Sequence, residues 1–270
     1  FENTTADNNV AVGNAALREN TTGTQNVAVG AFALDASTTG NNETAVGFTA
    51  LGALTTGLDN SAFGAYAGQN ITTGQTNVAI GKSSLHDCTT GDNNVAVGVN
   101  ALFENTTSDN NTGVGYFALK ANTTGTQNVA VGAFALDACT TGVENVAYGY
   151  GAATNLTTAN YNTAIGYNAS RDLTTGNDNT TLGINAGLVL TTGTNNLFLG
   201  TNSGRSSAPS GNITTQSNQV CLGNNSITNA FIKVAFTVTS DQRDKIEDGV
   251  VSHGLDFVNQ LKPKSFWFRK

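Results

Sequence analysis

The sequence predicts an all-β fold, a parallel β-solenoid (β-roll) of seventeen-residue coils. Three observations predict it. The stretch NTTGTQNVAVGAFALDA fills residues 20–36 and returns letter for letter at 122–138, six seventeen-residue steps later. A glycine stands at every seventeenth position: Gly13, Gly30, Gly47, Gly64, Gly81, Gly98, Gly115, Gly132, Gly149, Gly166, Gly183 and Gly200. The composition is that of an ordered, small-residue chain, with 11% charged residues, 31 Gly, 2 Pro and no Met. An unbroken short period is the signature of coils stacked one on the next. Low charge with few prolines argues against a disordered chain.

The residues flanking each repeat glycine specify a strand. The residue before it is large and apolar, as in Val12, Val29, Phe63, Ile80, Tyr148 and Leu199, and the one before that is nearly always Ala, as in Ala11, Ala28, Ala147 and Ala164. Successive strand residues point to opposite faces, so both faces of this strand are apolar and both require cover. The small face suits the inside of a thin coil, opposite the Ala three residues after the glycine (Ala16, Ala33, Ala50, Ala67, Ala101, Ala118, Ala135). Seventeen residues leave room for two short strands and their turns. A coil so thin buries little alone, so the simplest cover for the large face is the same face of another copy, in an obligate homo-oligomer expected to be a trimer about a long axis.

Turn chemistry supplies the rest of the unit. Thr-Thr-Gly recurs at 21–23, 38–40, 55–57, 72–74 and 89–91, with Gly giving the freedom a corner needs. Four residues before the repeat glycines stand Asn9, Asn26, Asn60, Asn77, Asn94, Asn111, Asn128, Asn145, Asn162, Asn179 and Asn196, with Glu43 the exception. Amides stacked one rung apart can bond along the axis as a ladder. Twelve rungs at about 4.8 Å give a rod of about 58 Å. Residues 1–9, FENTTADNN, align with 103–111, FENTTSDNN. Residue 1 thus falls inside a repeat, and the array is expected to continue upstream.

Other function classes are disfavoured by the residues. A net charge of −7 leaves no basic patch for nucleic acid. No run of about eighteen apolar residues is present, so membrane insertion is not expected. Cys88 and Cys139 lie three repeats apart, about 14 Å along the axis and too far to bridge. Cys221 takes the place of a strand Ala, and all three are read as buried fillers. His86 and His253 have no ligand-spaced partners, so neither a metal nor a cofactor is expected.

The phrase NVAVGxxAL in seventeen-residue steps resembles the head repeats of trimeric autotransporter adhesins, and even more the repeats of bacteriophage tail-fibre proteins. The resemblance covers residues 1–203 and implies a trimeric parallel β-roll. Past Gly200 the next equivalent glycine is Gly223, six residues late, the delay being taken up by GRSSAPSGN. FIKVAFTVT, residues 231–239, alternates as a terminal strand. Charge then concentrates, and Leu255, Val258 and Leu261 predict a short helix ended by Pro263. The organisation expected is a solenoid shaft over 1–203, a loop and terminal β region over 204–239, and a distinct segment over 240–270.

That last segment begins Ser240-Asp241-Gln242-Arg243-Asp244-Lys245-Ile246 and continues to LDFVNQLKPKSFWF. It closely resembles the start of the intramolecular chaperone domain of phage tail fibres and tailspikes, whose hallmark is Ser-Asp-x-Arg-x-Lys at the end of a trimeric β fibre. The resemblance implies a domain that trimerises, nucleates the fibre and cuts itself off before the serine. Carried onto this chain, the scissile bond is Thr239–Ser240, with Ser240 the nucleophile and Lys245 the base that activates it. Asp241 and Arg243 match the motif in supporting roles. By spacing alone, Ser240 and Asp241 read rather as a helix N-cap and Lys245 as a solvated charge.

The function expected is therefore a structural phage tail-fibre shaft, extracellular on the virion, that meets a host cell-surface glycan or protein receptor. The alternative is a trimeric adhesin on a bacterial cell surface. Two further classes are disfavoured by the residues. An ice-binding face needs threonine columns, but adjacent threonines leave only one pointing outward. A polysaccharide-degrading site needs two carboxylates at a working separation, whereas Asp35, Asp137, Glu43 and Glu144 fall on separate rungs.

Overall fold

Each apolar triplet before a repeat glycine forms a three-residue strand. The computed structural model describes residues 5–231. Among them thirteen strands stand in chain order in one parallel sheet. These are β1 (Val10–Val12), β2 (Val27–Val29), β3 (Thr44–Val46), β4 (Ser61–Phe63), β5 (Val78–Ile80), β6 (Val95–Val97), β7 (Thr112–Val114), β8 (Val129–Val131), β9 (Val146–Tyr148), β10 (Thr163–Ile165), β11 (Thr180–Leu182), β12 (Leu197–Leu199) and β13 (Val220–Leu222). Register is set by the period: Ala28 pairs with Ala45 and Val29 with Val46, each seventeen residues on. The late repeat keeps this register, Phe198 pairing with Cys221 across the six-residue insertion. The compact unit containing the sheet ends at Thr228.

Only one strand forms per coil among the described residues, rather than the two for which seventeen residues leave room. The remainder is turn, and its backbone enters left-handed conformations. In the coil of Gly30, Phe32 has φ 59°, Leu34 φ 49° and Asn42 φ 58°, and equivalent positions repeat the pattern. Non-glycine residues adopt this region at a cost of about 1–3 kcal/mol each. Hydrogen bonds to neighbouring coils offset it. Phe32 N–H donates to the Asn14 carbonyl of the coil before (2.8 Å), while Leu34 N–H donates to Ala50 (3.1 Å) and Thr38 N–H to Thr55 (3.0 Å) in the coil after. The turns thus bond between coils much as the strands do, which satisfies backbone groups that would otherwise be orphaned.

The interior is made of files of equivalent side chains. The strand alanines (Ala28, Ala45, Ala62, Ala96) and those three residues after the glycine (Ala33, Ala50, Ala67) are all fully buried, as the pattern predicts. Two more files complete the core, four and seven residues after the glycine, and they share volume. Where the first is Leu, as at Leu34, Leu85, Leu102, Leu119 and Leu136, the second is Ser37, Cys88, Asn105, Asn122 or Cys139. Where the first is small, at Gly68, Ala153, Ser170 and Gly187, the second is Ile71, Leu156, Leu173 or Leu190. Leu51 and Leu54 are the coil where both are large. The same exchange admits Phe198 in the strand file, because a Cβ on Gly187 would lie 2.7 Å from its ring. Interiors tolerate such swaps when total volume is kept. All three cysteines are free and buried, and Cys88 and Cys139 occupy this filler file.

The asparagine ladder is present and buried. Asn26 Oδ1 accepts from the Glu43 N–H (2.9 Å), and Asn26 Nδ2 donates to the Gly40 carbonyl (2.7 Å). Asn60, Asn77 and Asn94 repeat both bonds. Glu43, the break in the pattern, occupies the same rung. Its carboxyl accepts the Asn60 N–H at 3.0 Å and faces the Asn60 amide at 3.3 Å. Burial pushes its pKa up to about 8, against the opposing pull of the Asn60 donors.

A proton held by folded Glu43 and lost by the unfolded chain stabilises the fold at low pH. The contribution is present below the ordinary glutamate pKa and fades as pH rises towards about 8. Glu43→Asn should flatten this dependence and raise the unfolding midpoint at pH 9 relative to the parent, an effect on the order of a few kcal/mol. Urea unfolding at pH 5, 7 and 9 measures it, and parallel pH profiles for the two chains would refute it. A second expectation concerns the repeat glycine. A Cβ on Gly98, at φ 135°, would lie 2.4 Å from the Gly115 carbonyl oxygen. Gly98→Ala should therefore cost about 3 kcal/mol or more by the same unfolding measurement.

Candidate functional site

Strand alternation that buries the alanines turns the flanking residues outward. The residues just before the repeat glycines form a file from Val12 to Leu222, with Phe63, Ile80, Tyr148, Ile165 and Leu182 among its exposed members. The strand-opening residues form a second file, from Val10 to Val220, of Val, Thr, Ser and Leu. Neither file contains a charged residue. Thirteen strands at about 4.8 Å, each about 10 Å long, make this uncharged face roughly 600 Å², as large as the largest patch on an ordinary monomer.

Beyond the glycine the chain turns, and aromatic rings line the margin. Phe32, Phe48 and Tyr66 follow one another edge to face, at 6.0 and 5.3 Å between centroids. Tyr116, Phe134, Tyr150 and Tyr167 form a second run, at 5.4, 5.7 and 5.5 Å. A surface recess of about 370 Å³ opens beside this second run, lined by Phe134, Tyr150, Gly151, Thr154, Asn168 and Arg171.

The Thr-Thr-Gly corner separates its two threonines. The first donates its hydroxyl to the equivalent carbonyl one coil on, as in Thr38 to Thr55 (3.1 Å) and Thr55 to Thr72 (2.9 Å). The second is exposed on successive coils, at Thr22, Thr39, Thr56 and Thr73 and onward to Thr192. One outward column results, as expected of adjacent threonines, rather than the two-dimensional lattice a flat ice face would need.

Most charges sit at the coil corners. Arg18 bonds Glu19 at 2.8 Å and reaches Asp35 of the next coil at 3.2 Å, and these acids raise its pKa. Lys120 lies 3.7 Å from Glu104. His86 pairs with Asp87 at 2.6 Å and stacks on Phe103 at 4.8 Å. The acids considered for glycoside cleavage are not brought together: Asp35 and Asp137 occupy equivalent corners six coils apart, Glu144 is exposed and Glu43 is buried in the ladder. Desolvation raises the Asp137 pKa, with Lys120 opposing. No group of three or more His, Cys, Asp or Glu side chains at metal-binding distance occurs among the described residues.

Ser240, Lys245, the Thr239–Ser240 bond and the helical segment near Leu255 lie outside the described residues, as does the expected 231–239 strand after its first residue. The recess was not anticipated from the sequence. Its signal is the aromatic content of the two positions after the repeat glycine, read together with the glycine that replaces a side chain at Gly151.

Comparison with protein-family models, with curated proteins and with solved structures finds no match to this chain. The fold itself defines a parallel β-solenoid repeat protein.

Proposed function

We propose that the chain is the shaft of a homotrimeric bacteriophage tail fibre, a structural element of the virion that serves attachment to a host surface glycan or protein. The observation that carries the trimer is the uncharged apolar face of the sheet. A single thin coil cannot cover this face, and a partner must match thirteen rungs in step. Another copy of the chain does so by construction. Three such faces together amount to roughly 1,800 Å², shared over the three contacts of a trimer. The phage assignment rests on the resemblance at Ser240 to Lys245. Ser240 is there proposed as the nucleophile and Lys245 as its base, in one self-cleavage at Thr239–Ser240 once the C-terminal domain has nucleated the fibre. A bacterial trimeric surface adhesin uses the same shaft and is the second reading.

Native mass spectrometry of the chain should give a trimer. Ile80→Asp with Val97→Asp, two charges on adjacent strands of the outer face, should shift it to monomer while the far-ultraviolet circular dichroism is retained. A parent chain that is monomeric and folded would sink the interface. For the phage reading, the complete gene and its Ser240→Ala version are expressed and their intact masses recorded. Cleavage before Ser240 in the parent alone is expected; uncut chains in both would favour the adhesin.

A further inference from the structure

We infer that the recess at the sheet margin is a subsite for one neutral pyranose residue of a glycan. It deepens the attachment role proposed above, yet all its residues belong to one chain. The recess lies where a variable file passes from an aromatic residue to glycine. The second residue after the repeat glycine is Phe117, then Phe134, then Gly151, then Asn168. Gly151 contributes no side chain to that file, so the Asn168 amide oxygen reaches to within 2.5 Å of where a Cβ would stand, and its φ of 63° keeps the turn of its neighbours. In the earlier copy of the quoted stretch, Phe32 is followed one coil on by Thr49, which supplies a side chain at this place.

What surrounds the gap has the chemistry of sugar recognition. Phe134 and Tyr150 wall it with aromatic carbon, and Tyr150 is 51% exposed. Aromatic faces carry negative potential and attract the polarised C–H groups of a pyranose. The polar groups are matched to hydroxyls. The Asn168 side-chain amide makes no hydrogen bond among the described residues, so both its donor and its acceptor are available. Thr154 donates to the Phe134 carbonyl at 3.0 Å, which fixes its hydroxyl as an acceptor towards the gap. Arg171 engages Asp172 through Nε at 2.8 Å and Nη2 at 3.1 Å, leaving Nη1 free of that pair.

Charge decides between sugar classes. Asp172 neutralises Arg171, so the recess offers hydrogen-bond donors without net positive charge, which fits an uncharged hexose rather than an anionic one. A volume of about 370 Å³ is at the small end of ligand sites and suits one ring, not a chain.

The test titrates the full chain, by calorimetry and ligand-observed NMR, with the methyl glycosides of glucose, galactose, mannose and N-acetylglucosamine. N-acetylneuraminic acid is the anionic control. At least one neutral glycoside should bind. Its affinity should fall at least tenfold in Tyr150→Ala and in Gly151→Asn, which fills the gap with a residue tolerant of this φ. Phe48→Ala, an exposed ring in the other aromatic run, should bind as the parent does. Absence of neutral-sugar binding at ~20 mM glycoside, binding only of the anionic sugar, or binding unchanged in both recess variants would overturn the inference. Native mass of the same samples reports the trimer separately, so a monomer that binds sugar refutes the shaft interface and not the subsite.

Discussion

Every residue of a coil lies over its own equivalent seventeen positions away, and the structure depends on that in-register stacking. A side chain is admissible inside only if it is compatible with a copy of itself one rung above and below. Alanine satisfies this by size. Asparagine satisfies it by carrying donor and acceptor together, so Asn26, Asn60, Asn77 and Asn94 each pass a hydrogen bond onward. Ionised carboxylates cannot stack this way, because like charges at rung spacing repel in a medium that screens them poorly. Glu43 is accommodated because Asn26 and Asn60 flank it, and because burial favours its protonated form. The scarcity of charge and its concentration at the corners follow from the same rule.

Stacking also explains how the chain tolerates so many left-handed turn residues. One coil by itself would carry the strain at Phe32, Leu34 and Asn42 with no bonds to offset it. Each added coil supplies the bonds from Leu34 to Ala50 and from Thr38 to Thr55. Stability is therefore a property of neighbouring pairs of coils, as in other repeat arrays. Volume is likewise balanced between positions and between adjacent coils, Leu51 with Leu54 being met by Gly68 in the next coil. That is how Leu34 with Ser37 and Ser170 with Leu173 can be equivalent solutions, and how Phe198 fits between Gly187 and Gly204.

Much of this was legible in the sequence because stacking writes itself as periodicity. The repeat glycines, both alanine files, the amide ladder and the filler cysteines could be read from columns of equivalent residues. What columns hid was anything set by two positions jointly. The exchange between the files of Leu34 and Ser37 is invisible until both are compared across coils. The missing second strand was hidden differently: leucine and phenylalanine are not expected at positive φ, so AFAL reads as extended when it is in fact turn. The recess required knowing that Phe134, Gly151 and Asn168 follow one another along the axis.

The division between regular and irregular surfaces separates two kinds of recognition. A face that sets thirteen uncharged strands in step is matched along its whole length only by a partner with the same repeat. Specificity for a foreign molecule has to come from positions where equivalents differ. Those positions lie outside the buried files, since the core tolerates only compensated change, and they gather at the turn after the glycine, where aromatic, glycine, asparagine and charged residues succeed one another. A solenoid built by duplication thus keeps its interior and its outer sheet face uniform for self-assembly, and diversifies at the corner without disturbing either. The two identical stretches at 20–36 and 122–138 show the consequence: Phe32 and Phe134 occupy the same place in the same coil, but the next coil along the axis sets Thr49 beside the first and Gly151, with its recess, beside the second.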